Sequence, residues 1–135
     1  MTTMLTARRI IKILVCEDDM ITLRALECSL RKEGYEVYTA ADGKEGAELL
    51  RNNEIDMMIT DQHMPYFSGL ELVHLVRNEL KMNFPIIMLT RVNLSEIKKL
   101  ALNLGVNEYM TKPFFPQQLL LRIKCMLNHD GNSGI

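Results

Sequence analysis

The sequence from Ile55 to Gly69 reads IDMMITDQHMPYFSG. The part up to Thr60 is an apolar run of strand length, and the part after Asp61 is rich in residues that form turns. This stretch therefore predicts a buried strand from Ile55 to Thr60 that delivers the Asp61 carboxylate to a loop.

Polar residues also follow the other apolar runs of the chain. These residues are the acids Glu17-Asp18-Asp19 after the run from Ile10 to Cys16, Thr90 at the end of the run that Phe84-Pro85 opens, and Lys112-Pro113 after the run from Glu108 to Thr111. In open α/β sheets, ligand sites lie beyond the carboxyl ends of the strands. We therefore expect these acids, the hydroxyl and the ammonium to converge at one edge of a sheet.

Short apolar runs alternate with stretches of helical periodicity, which is typical of βαβ units and a parallel sheet. The predicted strands cover 10–16, 35–40, 55–60, 85–90 and 108–111, and the predicted helices end near 33, 52, 80, 104 and 127. Asp19, Asp42 and Asn93 are the expected helix N-caps, and Gly34 and Gly105 the expected helix ends. The predicted fold is an α/β domain with a doubly wound, five-stranded parallel sheet.

The composition fits a single globular domain. The chain has 135 residues, of which 47% are hydrophobic and 24% charged, and its formal net charge is -1. This charge gives no general attraction to nucleic acid or membranes. We expect a domain over residues 10–128, an N-terminal tail over 1–9, and a flexible C-terminal tail or the start of a linker over 129–135. No stretch has the shape of a signal peptide or the roughly 20 apolar residues of a membrane span, so we expect a cytoplasmic protein.

Three cysteines, Cys16, Cys28 and Cys125, lie within predicted strands or helices. Their spacing forms neither a close pair nor a metal-binding motif. We expect buried free thiols in a reducing compartment.

The predicted cluster suits a metal ion and a phosphoryl group. Mg²⁺, or Mn²⁺ in its place, prefers oxygen ligands. Asp18 and Asp61 can bind it directly, Glu17 through water, and His63 through its backbone carbonyl. Asp61 can then attack a phosphorus atom, while Lys112 neutralises charge on the transferring oxygens. The Thr90 hydroxyl can donate a hydrogen bond to one of those oxygens.

Each residue also has an ordinary structural interpretation. Acids at strand ends often only cap helices, and Asp19 is the best candidate for that role. A lysine before a proline is usually solvated, and Tyr109 can be a half-buried core aromatic. The order along the chain favours the functional interpretation, because chance would seldom place all four polar features at successive strand ends.

The segments ILVCEDD (13–19), DQHMP (61–65) with Gly69 four residues later, PIIMLT (85–90) and GVNEYMTKPF (105–114) resemble the receiver domains of two-component response regulators. The resemblance extends from Ile10 to Leu127. It implies a flavodoxin-like (βα)5 fold with strand order 2-1-3-4-5. It also implies that a sensor histidine kinase or a histidine phosphotransfer protein phosphorylates Asp61, and that the domain turns over no metabolite.

The same resemblance implies a route by which the signal leaves the site. Thr90 shifts toward the phosphoryl group, and Tyr109 turns inward into the space that it leaves. This movement would remodel the surface formed by the fourth helix, fifth strand and fifth helix, which contacts an output domain or target protein. The Lys112-Pro113 peptide bond is expected to be cis.

Two residues near the predicted site are possible modulators. Arg91 follows Thr90, where receivers usually carry a small residue, and its guanidinium can cover Asp61 or hold an acidic donor surface. We predict that Arg91 slows the entry of small phosphodonors. The side chain of His63 lies near the route of a hydrolytic water, and His63→Ala should alter the lifetime of the phosphorylated form if that side chain acts.

The residues of a salt-bridged receiver dimer are only partly present. Glu108 and Arg122 match that pattern, but Asn107 and Gln118 are neutral where acids would be expected. We expect a monomer or a weak dimer linked to phosphorylation.

Two other functions remain open from the sequence. The first is a degenerate receiver that binds partners without phosphorylation, which Arg91 favours and the retained acids, Thr90 and Lys112 oppose. The second is a phosphatase with an aspartyl-phosphate intermediate. It would need a second acid two residues after the nucleophile, where this chain has His63.

Overall fold

The computed structural model describes residues 9–91 and 94–132, with side chains as far as Leu127. The strands are β1 (Lys12–Cys16), β2 (Glu36–Ala40), β3 (Met57–Asp61), β4 (Ile86–Thr90) and β5 (Glu108–Thr111). The helices are α1 (Met20–Lys32), α2 (Gly43–Asn52), α3 (Gly69–His74, continued by a π-helical turn over Leu75–Glu79), α4 (Ser95–Leu104) and α5 (Pro116–Asn132). None of these described helices is both long enough and apolar enough to cross a membrane.

The five strands form one parallel sheet in the order β2-β1-β3-β4-β5, which confirms the predicted fold. Cys16 pairs with Thr60, and Asp61 pairs with Leu89. The residues that follow Cys16 and Leu89 therefore lie level with the end of β3. This register brings the carboxyl ends of β1, β3 and β4 to one edge of the sheet.

The sheet separates two hydrophobic cores, because alternate side chains of each strand point to opposite faces. On one face, Ile13 and Ile59 pack with residues of α1 and α5. On the other, Leu14 and Met58 pack with residues of α2, α3 and α4. With both faces covered, the central strands are apolar along most of their length, as is typical of parallel sheets, and their polar residues lie at the strand ends.

The helix ends follow the predicted capping residues where these are described. The side chains of Asp19 and Asp42 accept hydrogen bonds from the backbone N–H groups of Thr22 and Glu45 at the starts of α1 and α2. Gly34 and Gly105 have positive φ angles of 95° and 114° just after α1 and α4. The Asn93 cap predicted for α4 lies outside the described residues.

Several strand ends differ from the sequence prediction, since β2, β3 and β4 begin at Glu36, Met57 and Ile86 rather than at residues 35, 55 and 85. Asp61 is the last residue of β3 rather than a loop residue, because β4 continues alongside it and pairs Leu89 with it. β1 begins at Lys12 rather than Ile10, because the Asp56 carboxylate, and not a neighbouring strand, accepts the Lys12 backbone N–H at 2.8 Å.

Two helices also differ from the prediction. The last turn of α3 is π-helical, with the Leu80 N–H donating to the Leu75 carbonyl at 2.8 Å. α5 continues to Asn132, past the point where the sequence predicted flexible chain. Extending an existing helix costs much less free energy than starting one, so Gly131 does not end it.

The prediction of buried cysteines holds for one of the three. Cys16 is buried beneath the carboxyl edge of the sheet, and burial raises the pKa of its thiol to about 12. Cys28 and Cys125 are exposed on α1 and α5. Both lie on outward faces of helices whose inner faces carry the leucines and isoleucines of the core.

Candidate functional site

A cleft of about 360 Å³ lies at the carboxyl edge of the sheet. Asp18 and Asp19 line it from the β1 side, Asp61 and His63 from β3, and Arg91 from β4. The structure thus brings together the acids that the sequence placed at successive strand ends.

The carboxylate of Asp61 is held at both oxygens. Its Oδ1 accepts a hydrogen bond from the backbone N–H of Gln62 at 2.8 Å, and its Oδ2 accepts one from Lys112 Nζ at 3.1 Å. The side chain is 11% exposed, on the side of the cleft. The exposed part of this nearly buried carboxylate therefore faces the cleft.

Lys112 joins two carboxylates. Its Nζ donates to Glu17 Oε1 at 2.5 Å as well as to Asp61, and the other oxygen of Glu17 accepts the backbone N–H of Asp19 at 3.1 Å. Burial alone would lower the pKa of Lys112, but its bonds to Glu17 and Asp61 outweigh burial and raise it. The lysine therefore remains a cation. The Lys112-Pro113 bond is cis, as expected.

The acids fit a small divalent cation. Glu17, Asp18 and Asp61 each offer an oxygen, and these three atoms lie within 4.8 Å of one another. Burial and the nearby Asp61 charge raise the pKa of Glu17 despite its bond to Lys112. The ionised cluster therefore needs more positive charge than Lys112 supplies. An all-oxygen donor set of this size is the set that Mg²⁺ and Mn²⁺ prefer.

Thr90 and Tyr109 are the residues that were predicted to carry the signal from the cleft to β5. Thr90 is buried at the end of β4, and its side chain is hydrogen-bonded to Tyr109, whose nearest partner in the β4–β5 register is Met88. Burial raises the pKa of the Tyr109 hydroxyl in spite of this bond. The two side chains that were predicted to move together are thus in direct contact.

The two predicted modulators both line the cleft. The side chain of His63 is exposed. Arg91 is exposed as well, and it also lines a second groove beside α1. Hydrogen bonds from Thr22 lower the pKa of Asp19, and the Arg91 charge lowers it further.

The sequence reasoning missed the roles of Gln62 and Gly69. The Gln62 side-chain oxygen accepts the Leu70 N–H at 2.8 Å, and its carbonyl accepts the Gly69 N–H at 2.9 Å. A Cβ atom at Gly69 would lie 2.4 Å from the Asp61 carbonyl oxygen, so only glycine fits this close approach. In the sequence, the spacing of Gly69 from Asp61 is the feature that indicates this close approach. The two residues fold the loop back against the end of β3.

Comparison with known proteins agrees with this geometry. The family model of the response regulator receiver domain matches residues 13–124. The chain belongs to this family. The receiver is 37% identical over 119 residues to the alkaline phosphatase synthesis transcriptional regulatory protein PhoP of Bacillus subtilis (strain 168), covering 88% of this chain and 49% of PhoP. It thus spans about half the length of that relative.

Solved receiver structures have the same fold. A CheY-like receiver domain protein from Methanospirillum hungatei JF-1 superimposes with a TM-score of 0.87 at 30% identity, covering 93% of this chain and 99% of that one. The chemotaxis response regulator CheY4 of Vibrio cholerae gives a TM-score of 0.81 at 33% identity, covering 87% and 99%. These similarities confirm the flavodoxin-like receiver fold that the sequence predicted.

Proposed function

We propose that this receiver is a phosphorylation-activated switch that accepts a phosphoryl group on Asp61 in the presence of Mg²⁺. The observation that carries the proposal is the Asp61 carboxylate, held by Lys112 and the Gln62 N–H beside Glu17 and Asp18. The proposed donor is the phosphohistidine of a sensor histidine kinase or phosphotransfer protein. The receiver would turn over no metabolite.

The transfer exchanges one bond to phosphorus for another. An oxygen of Asp61 forms the new P–O bond while the P–N bond of phosphohistidine breaks, and its electron pair stays on the imidazole nitrogen. Lys112, 3.1 Å from Asp61 and held by Glu17, offers its positive charge to the phosphoryl oxygens. The Thr90 hydroxyl can give up its hydrogen bond to Tyr109 and form one to a phosphoryl oxygen instead. A cation bound by Glu17, Asp18 and Asp61 supplies further charge neutralisation.

The donor protein would bind in the groove beside α1. This groove has a volume of about 520 Å³ and adjoins the cleft through Arg91 and Lys112. Its other lining residues are mainly apolar: Ile21, Thr22, Ala25, Leu26, Ser29, Pro113, Phe114 and Pro116. Ile21 is 82% exposed on its rim, which suits a partner with an apolar helical face.

Phosphorylation would change the surface formed by α4, β5 and α5, and a partner would bind to this surface. In α4 only Ala101 is buried, so few core contacts oppose a movement of this helix. The bond between Thr90 and Tyr109 connects the cleft to β5. The proposed partner of this surface is an output domain or a target protein, and the proposed location of the switch is the cytoplasm.

The proposed oligomeric state is a monomer or a weak dimer linked to phosphorylation. Arg122 and Glu108 already form a salt bridge within the chain. The side-chain oxygen of Asn107 accepts bonds from Arg77 and from the Ile86 N–H. The side chains of Glu108, Arg122 and Asn107 therefore already form bonds within the chain.

Intact-protein mass spectrometry tests the proposal. The parent is incubated with phosphoramidate and Mg²⁺, or with phosphoramidate and EDTA, alongside Asp61→Asn. We expect the mass of one phosphoryl group only in the parent with Mg²⁺. The same addition in Asp61→Asn would refute the site. No addition, even with histidine kinases as donors, would favour the phosphorylation-independent binding module.

A further inference from the structure

Among the described residues, Arg91 is a cation without a fixed partner at the edge of the cleft. Within residues 9–91 and 94–132, no hydrogen bond or salt bridge holds its guanidinium. Lys112, the other cation at this site, bonds both Glu17 and Asp61. The arginine charge is therefore not neutralised by a carboxylate of its own, although it acts on Asp19.

The position of Arg91 places this charge beside the candidate cation site. Arg91 lines the same cleft as Asp18 and Asp61, which are two of the three clustered carboxylates. Guanidinium groups stay protonated in proteins, so the charge is present at any working pH. Like charges in a partly solvated cleft repel with an energy that falls with distance and with salt. A divalent cation bound here would feel twice the repulsion of a monovalent one.

We propose that Arg91 sets the affinity of this receiver for its divalent cation, and that it weakens that affinity by charge repulsion. The inference rests on the proposed function, because it concerns the same cation site. It shifts half-occupation of the site, and so readiness for phosphorylation, to a higher divalent-cation concentration than a small residue at position 91 would give.

Direct binding of Mn²⁺ is the readout, measured from the loss of the free-ion signal in electron paramagnetic resonance. Phosphorylation rates are less suitable, because Arg91 can change the entry of the phosphodonor as well as the binding of the cation. Arg91→Met keeps most of the side-chain length and removes the charge, and Arg91→Lys keeps the charge. Arg51→Met removes the same charge from α2, where Arg51 pairs with Glu79 outside the cleft.

We expect Arg91→Met to bind Mn²⁺ about 3- to 10-fold more tightly than the parent at low salt, with the gain shrinking as KCl is added. Arg91→Lys and Arg51→Met should bind like the parent. Equal or weaker binding by Arg91→Met, or an equal gain in Arg51→Met, would overturn the inference.

The Asp18→Asn variant separates this inference from the proposed function. It should lose most Mn²⁺ binding, because it removes a clustered carboxylate. If the parent bound no Mn²⁺, or if Asp18→Asn bound it equally well, the cation site of the proposed function would itself be wrong. If the parent and Asp18→Asn behaved as expected but Arg91→Met did not, only the proposed role of Arg91 would be refuted.

Discussion

The two ends of β3 each carry an aspartate, and their surroundings differ. Asp56, just before the strand, accepts the Lys12 backbone N–H at 2.8 Å and forms a salt bridge with Arg9. Asp61, at the other end, shares the ammonium of Lys112 with Glu17. The charge of Asp56 is satisfied within the fold, whereas the cluster around Asp61 has more negative than positive charge. Such a cluster attracts a cation, which supports the proposal that the functional site lies at the carboxyl end of β3.

Two arginines show the same contrast between the two ends of the sheet. Arg77, near the amino end of β5, donates to the Gly105 carbonyl, the Met82 carbonyl and the Asn107 side chain at 2.9–3.2 Å. Arg91, at the carboxyl end of β4, has no such bonds among the described residues. The first arginine joins α3 to the α4–β5 connection, and the second leaves its charge available to the cleft.

The largest expected effect separates the two aspartates. Asp61→Asn should abolish phosphorylation and change the free energy of unfolding by less than about 1 kcal/mol, because it removes one of several crowded charges. Asp56→Ala should keep phosphorylation but lower the free energy of unfolding by about 1–3 kcal/mol, because it leaves the Lys12 N–H without its acceptor. Urea denaturation in EDTA and intact-mass phosphorylation measure both properties. A folded Asp56→Ala variant that cannot be phosphorylated would contradict the comparison.

Lys112→Met should give the largest effect on stability alone. Removing one partner of a buried ion pair leaves Glu17 uncompensated, and we expect a loss of about 3 kcal/mol in EDTA. Mg²⁺ should restore more stability to this variant than it adds to the parent, because the cation then supplies the missing charge. Thermal unfolding at a series of Mg²⁺ concentrations checks this. An equal Mg²⁺ effect in both proteins would mean that lysine and cation do not share the same carboxylates.

A matched pair of arginine variants tests the second contrast. Arg77→Met should lower the free energy of unfolding by about 1–3 kcal/mol, because it removes several hydrogen bonds, two of them to the part-buried Gly105 carbonyl. Arg91→Met should stay within about 0.5 kcal/mol of the parent in EDTA, since no structural bond is lost. Urea denaturation compares the two directly, and similar losses would show that Arg91 has a structural role.

The smallest effect concerns the packing under the cleft. Cys16 ends β1 and is buried, and its raised pKa of about 12 leaves little thiolate to react. In a thiol assay with an aromatic disulfide, Cys28 and Cys125 should react in the native protein and Cys16 only after unfolding. Fast reaction of Cys16 in the native state would show that the carboxyl end of the sheet opens readily.

The resemblance to receiver domains implied the strand order, and the sequence itself predicted the convergence of Glu17, Asp18, Asp61 and Lys112, because strand-end position is enough to place a residue in a parallel sheet. It did not predict the π-helical turn of α3. That turn lies where Arg77 bonds to Gly105, 28 residues away along the chain, and such long-range bonds leave no periodic signal. The role of Gln62 was missed for the same reason, since its partner is set by how the loop folds back.

The most direct test is to locate the phosphoryl group after incubation with phosphoramidate and Mg²⁺. Borohydride reduces an aspartyl phosphate to homoserine, which peptide mass spectrometry assigns to a single position. We predict homoserine at position 61 and unmodified aspartate at positions 56, 18 and 19. Homoserine at any of those three positions, with position 61 unmodified, would contradict the assignment of function to the carboxyl end of β3.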